Sequence, residues 1–323
     1  MMLEWLEEMA REKALPPLLL KDSQRTMAGS PPAAALEAWL ALTREQALDP
    51  ALPIVDAHHH LWDATAGPGG PHVGVGRPGG AGAAVDPAVG WPKVPRYLLA
   101  DALADMDGSG HNVVGSVYCE CGSMYRGEGP VAERPLGETE FVTGMAAMAA
   151  SGTFGATRVC AGITGTADLA LGPAAIGPVL RAHLGLPNFR AIRTPIPSAV
   201  EQPEEHERWR ESIELMQELG IAYEQNDPVE PHLLQLARDF PRLVIVLCHC
   251  TGTHTWSEAE AQAWRDGIEA LSKCPNVVAK LGGAGSPHRG FGLVDRPVPV
   301  GSEELADMVL PWYAASHRFP LIQ

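Results

Sequence analysis

The feature that most narrows the fold is a strict alternation of helical and strand-like patterns from residue 97 onward. Apolar residues recur at helical spacing over 97–106, 138–150, 174–183, 206–219, 232–240, 257–272 and 302–316. Between them lie short apolar runs: NVVGSVYCE, RVCAGITG, FRAIR, IAYEQ, LVIVLCHC and NVVAKLGG. Runs apolar on both faces suit parallel strands covered by helices on either side. Gly108, Gly110 and Gly220 stand where a left-handed residue would end a helix, and Ser302 stands as a cap before Glu303 and Glu304. With an earlier strand leading into the histidines at 58–60, seven strands alternate with helices, which predicts parallel βα units. The chain stops at HRFPLIQ, where an eighth strand would begin. The expected fold is therefore α/β, a distorted (β/α)8 TIM-like barrel over 51–323, truncated before the eighth strand. A barrel needs about 250 residues. The remainder, 1–50, reads as a helical extension with patterns at 3–14 and 33–47, split by Pro16, Pro17 and the cluster Gly29, Ser30, Pro31, Pro32.

The first strand carries the most chemistry. In IVDAHHHLWD, apolar Leu52, Ile54 and Val55 lead in, and three histidines stand where the strand opens into a loop. Alternate strand residues share a face, so Asp56, His58 and His60 are expected on one side and His59 on the other. Two imidazoles two residues apart can then reach one ion. The Gly-, Pro- and Ala-rich stretch 65–92 lacks periodicity and is expected to form a long loop, with the makings of a lid.

Charge limits the partners. The chain holds 24 Lys and Arg against 39 Asp and Glu, a formal charge of −15, which disfavours nucleic acid and anionic membranes. The expected partner is an anionic or polyol small molecule, with self-association left open. Six cysteines are too few for a disulfide scaffold of this length, and neither a membrane-spanning run nor a secretory leader is legible at the N-terminus. A reducing, cytoplasmic setting is expected.

Period two along each strand also proposes a mouth. Glu120 is assigned to the face of Ser116 and Tyr118, leaving Cys119 and Cys121 to point outward. Arg193 shares a face with Phe189 and Ala191, His249 with Ile245 and Leu247, and Lys280 with Val278. His58, His60, Glu120, Arg193, His249 and Lys280 would then gather at the strands' C-terminal ends, where barrels of this kind keep their chemistry. Imidazoles and a carboxylate suit a divalent metal, Zn²⁺ or Mn²⁺, that activates water. Arg193 offers a planar fork to a substrate carboxylate and Lys280 a point charge to that group or to an oxyanion. The pairs Cys119-x-Cys121 and Cys248-x-Cys250 lack zinc-finger spacing and read as buried structural cysteine.

With these residues placed, the chain resembles the amidohydrolase-related (amidohydrolase 2) metal-dependent hydrolases, in the branch of sugar-lactone and 2-pyrone-4,6-dicarboxylate lactonases. The blocks that carry the resemblance are IVDAHHHLWD, GHNVVGSVYCECGSMYR, GETEFVTGMAAMAASG, AGITGTADLALG, FRAIR, FPRLVIVLCHCTG, CPNVVAKLGG and GFGLVDRPVPVGSEELADMVLPWY. The resemblance implies a distorted TIM barrel with His58 and His60 as a ligand pair and His249 as the later histidine. It also implies Glu120 and Arg193 facing substrate, and Tyr125 and Arg126 of the second block are expected there too. Some lactonases of the family work without metal. Two departures stand out: Cys248-His249 replaces the family's Asp-His, and the eighth strand with its general-base Asp is missing, a role neither Asp295 nor Asp307 fills. The expected function is a metal-dependent hydrolase, a lactonase with His249, Glu120 and Lys280 in catalysis. A metal-dependent decarboxylase of a small aromatic acid and a non-catalytic truncated relative are the alternatives.

Overall fold

In the computed structural model the described residues are 33–63, 96–225, 231–251, 258–283, 291–293, 296–316 and 319. The expected lid, 65–92, and the first helical pattern, 3–14, lie outside them. The chain divides into a larger unit, 47–225 with 242–244 and 323, and a smaller one, 1–46 with 226–241 and 245–322.

The smaller unit supplies α1 (Ala33–Leu40). The larger unit then runs β1 (Pro53–His59), β2 (Trp62–Asp63), β3 (Arg96–Tyr97), α2 (Leu99–Gly108), β4 (Asn112–Cys119) and α3 (Leu136–Ala150). It continues through β5 (Arg158–Gly165), α4 (Pro173–Leu184), β6 (Phe189–Arg193), α5 (Pro203–Leu219) and β7 (Ala222–Gln225). The smaller unit resumes with α6 (Pro231–Asp239), β8 (Ile245–Leu247), α7 (Glu258–Ser272), β9 (Val277–Ala279) and α8 (Ser302–Ser316). In the larger unit β1, β4, β5, β6 and β7 lie side by side in chain order, all parallel, while β2 and β3 form a separate antiparallel pair. In the smaller unit β8 and β9 are parallel. Seven parallel strands alternating with helices are the architecture of a partial TIM barrel, as the sequence periodicity predicts.

Local chemistry explains the boundaries. Asp101 in the first turn of α2 accepts the Leu98 backbone N–H at 2.9 Å, satisfying one of the helix's orphan donors. Gly220 ends α5 at φ +69°, and its N–H turns back to Met216 and Gln217. The core between the sheet and the α2–α3 layer is built from Leu61, Leu99, Leu103, Tyr118, Val142, Val159 and Ile163, none more than 7% exposed. In the smaller unit, Trp39 Nε1 donates to the Arg296 carbonyl at 2.8 Å and Glu45 accepts the Ser302 N–H at 3.1 Å. These bonds fasten 39–45 to the approach of α8. Among the described residues no helix is long and apolar enough to cross a membrane.

Register decides which side chains face the site. Paired residues in a parallel ladder project to the same face, and His59 pairs Tyr118, which pairs Ile163 of the core beneath α3. The next step pairs Cys119 with Thr164, and Arg193 pairs Glu224. Between Asp56 and His59, β1 holds one residue more than the matching stretch of β4, a bulge whose backbone is held by the Asp56 carboxylate accepting the His58 N–H at 3.0 Å. Two expectations are corrected here. Asp56 pairs Ser116 and so lies on the face of His59, not with His58, and Cys119 faces inward while Ser116 and Tyr118 face the helices.

Candidate active site

The C-terminal ends of β1, β4, β5, β6 and β7 bring together His58, His60, Cys119, Glu120, Thr164, Arg193 and Glu224, all in the larger unit. Two linked groups form. In the first, Glu224 is buried on β7: its Oε2 accepts Thr164 Oγ1–H at 2.9 Å and its Oε1 accepts the Cys119 thiol at 3.5 Å. His58 Nδ1 lies 3.8 Å from the same Oε1. In the second, buried Arg193 grips Glu120 twice, through Nε to Oε1 at 2.9 Å and through Nη2 to the Glu120 carbonyl. Glu120 follows the last residue of β4, so it reaches Arg193 from the loop.

The imidazoles connect these groups. His60 Nδ1 lies 2.8 Å from the Cys119 carbonyl, and His60 Nε2 lies 3.2 Å from His58 Nε2. A carbonyl oxygen only accepts, so His60 Nδ1 carries the proton and Nε2 presents a lone pair. Burial, and next the Arg193 charge, push the His60 pKa down to about 4, so this ring is neutral at pH 7. His58 Nε2 then donates to His60, and its Nδ1 faces Glu224 Oε1.

The central histidine of the triplet does other work. His59 Nε2 meets Ser116 Oγ at 2.9 Å and Cys160 Sγ at 3.7 Å, and its ring packs edge-on against Tyr118. It belongs to the outer face.

Behind the mouth, Glu138 in the first turn of α3 is buried. Its Oε1 accepts Tyr118 O–H at 2.8 Å, Cys121 N–H at 2.8 Å and Ser123 N–H at 3.0 Å. Between those two N–H groups Gly122 sits at φ +78°, which turns both amides inward as an anion-binding nest. Here the anion is the protein's own. Burial and the Glu120 charge push the Glu138 pKa up to about 7, against the pull of its donors.

Four predicted residues remain. Tyr125 is buried in the loop after β4, whereas the Arg126 guanidinium is engaged by Glu140 and Glu133 at the surface. His249 and Lys280 belong to the smaller unit. There His249 adopts φ +53° in the turn after β8, and a Cβ on Gly283 would stand 2.5 Å from its ring, so only glycine fits beside it. Lys280 is buried at the end of β9, its N–H on the Leu247 carbonyl at 2.9 Å. Thr164, Glu138 and Glu224 went unread in the sequence, where Cys119 is legible only as a structural cysteine. Glu224 had a signal, since IAYEQ places a carboxylate at the end of a strand.

No curated protein matches the chain. An amidohydrolase from Burkholderia multivorans with bound zinc has 18% identity and a TM-score of 0.53, over 83% of this chain and 81% of that one, and shares the fold. An amidohydrolase 2 from Bifidobacterium longum subsp. infantis aligns at 17% identity and TM-score 0.45, over 81% and 80%. A probable 2-pyrone-4,6-dicarboxylic acid hydrolase from Acinetobacter baumannii, with citric acid bound, aligns at 8% identity and TM-score 0.42, over 81% and 94%. The sequence model of the family described as Amidohydrolase (Amidohydro_2) matches residues 55–309, so the seven-stranded α/β chain belongs to the amidohydrolase family.

Proposed function

We propose that this amidohydrolase is a metal-dependent lactonase that opens a small carboxylated or sugar-derived lactone by adding water to the ring carbonyl. The observation that carries the reading is the meeting, at the ends of five parallel strands, of a linked imidazole pair with a buried guanidinium. His58 and its neighbours are a donor set that suits a divalent cation, because imidazole, thiol and carboxylate converge there. When bound, such an ion polarises a carbonyl and acidifies water. Arg193 supplies the charge that draws a substrate carboxylate, and its planar fork fixes the ring's orientation. Glu120 holds that fork by two contacts, so the cation needs little reorganisation when substrate arrives. His60 keeps His58 in one tautomer. We assign His249 and Lys280 no step here.

The test is ring opening across a panel of carboxylated and neutral lactones, followed by acid release, with the protein chelated and then reloaded with Zn²⁺ or Mn²⁺. Turnover that needs metal and favours carboxylated rings is expected. In R193K the KM for carboxylated lactones should rise at least tenfold while that for neutral ones changes little. No ring opening in any metal state would overturn the reading. Release of CO₂ from an aromatic acid without water incorporation would replace it with a decarboxylase.

A further inference from the structure

A cavity of about 110 Å³ opens in the larger unit, among the loops that follow β5 and β6 and the start of α5. It shares no residue with the mouth described above, although Thr194 in its wall follows Arg193 directly. Pockets for drug-sized ligands hold roughly 300–1,000 Å³, so this one takes a molecule of a few heavy atoms. Its shape is set in advance. Tyr223 O–H donates to the Thr194 carbonyl at 2.7 Å and His206 Nδ1–H to the Pro197 carbonyl at 2.9 Å, while Pro195 and Pro197 restrict the backbone between them.

The polar wall is made of oxygen acceptors. Asp168 Oδ1 takes the Ala170 N–H at 3.1 Å and Glu205 Oε2 takes the Gln202 amide at 2.9 Å, which leaves the second oxygen of each carboxylate without a hydrogen bond among the described residues. Thr194 is only 5% exposed, and its hydroxyl likewise has no partner among the described residues. The lining contains no Lys, Arg or His. Arg208, whose charge reaches Asp168, has its Nε on the Ala170 carbonyl at 2.7 Å. Burial raises the Asp168 pKa and the Glu205 charge raises it further, against the pull of the Ala170 N–H and Arg208. The two carboxylates are thus close enough to repel, and a cation between them relieves that repulsion.

An anion is excluded by the same two charges. A hydroxyl ligand needs a donor as well as an acceptor, and the Gln202 amide is already turned onto Glu205. A primary ammonium group carries three N–H donors and no acceptor, which matches three unengaged oxygens, two of them anionic. We propose that this cavity binds a small primary alkylammonium ion, its N–H groups received by Asp168, Glu205 and Thr194 and its alkyl chain lying against Leu169, Ile196 and Trp209. The proposal is independent of the lactonase reading and needs no metal.

Calorimetric titration of the chelated full chain with n-propylammonium chloride tests it, with glycerol and sodium propionate as neutral and anionic controls. One propylammonium per chain is expected, with both controls bound at least tenfold more weakly. Asp168→Asn keeps an acceptor for the Ala170 N–H and removes the charge, so affinity should fall about 10- to 100-fold, and Thr194→Val should lower it about 2- to 10-fold. Should D168N fail to fold, Glu205→Gln, in the first turn of α5, carries the same expectation as D168N. Glycerol bound as tightly as propylammonium would overturn the choice of a cation. An affinity unchanged in D168N, E205Q and T194V would put the ion elsewhere and overturn the site, as would the absence of propylammonium binding by both calorimetry and ligand-observed NMR.

Discussion

Substitutions at Glu138 separate a buried charge from the hydrogen bonds it accepts. The carboxyl is 1% exposed, and one oxygen receives Tyr118 O–H, Cys121 N–H and Ser123 N–H. Its pKa is pushed from 4.5 up to about 7, chiefly by burial and then by Glu120. A folded pKa above the unfolded one means that the group's contribution to stability is complete below about pH 4.5 and is lost as pH rises through 7. Glu138→Gln keeps a carbonyl acceptor for the three donors and removes the titration. Wild-type stability should therefore fall relative to E138Q between pH 5 and 8, with E138Q the flatter curve. Glu138→Leu removes the acceptor and strands three buried donors, each worth about 1–3 kcal/mol. Allowing for non-additivity, the loss is on the order of 3–6 kcal/mol at every pH. That is a large share of the 5–15 kcal/mol typical of a domain. Urea unfolding at pH 5, 6, 7 and 8 measures both effects. Parallel curves for wild type and E138Q across that window, or an E138L protein as stable as E138Q, would refute the reasoning.

Three further outcomes are checked by the same unfolding measurement. Gly137→Ala places a Cβ 2.5 Å from the Met124 carbonyl oxygen and 2.6 Å from the Arg126 nitrogen, both backbone. It should cost about 1–3 kcal/mol by forcing α3 off the loop it braces; a neutral effect would mean that the loop yields freely. Arg193→Ala leaves Glu120 buried beside an empty place and should cost about 3–5 kcal/mol, with R193K closer to wild type. Equal losses for the two variants would show that shape, not charge, sustains the pair. Trp209 is 2% exposed and packs edge-on against Tyr223, while its indole N–H has no hydrogen-bond partner among the described residues. Trp209→Phe should therefore cost much less than the about 3–5 kcal/mol of Trp209→Ala, and similar losses would mean that the N–H does matter.

The order of helices and strands was legible because it depends on local periodicity, and Gly220 marks its helix end at φ +69° as its position suggests. Facing was harder to read. Strict alternation puts Glu120 inward with Ser116 and Tyr118, yet β4 ends at Cys119 and the pleat no longer constrains Glu120. Glu120 reaches Arg193 from the loop, which frees Tyr118 to point outward onto Glu138 and Cys119 to point inward onto Glu224. The bulge in β1 hid a second sign, because Asp56 left the face it would share with His58 under strict alternation. Neither bulge nor strand end announces itself in composition. Side-chain size does carry the missing information: a buried tyrosine has room beneath α3 in a core of Leu61, Val142 and Ile163, whereas the inward face of adjacent strands holds the smaller Cys119 and Thr164. Those two small residues are what let the Glu224 carboxylate lie across β4 and β5 with a hydroxyl on one oxygen and a thiol on the other. An inward Tyr118 would fill that space, and since the pleat alternates, it would also turn Cys119 away from His58. The donor set around His58 thus depends on the outward tyrosine, and the outward tyrosine depends in turn on Glu138 receiving its hydroxyl.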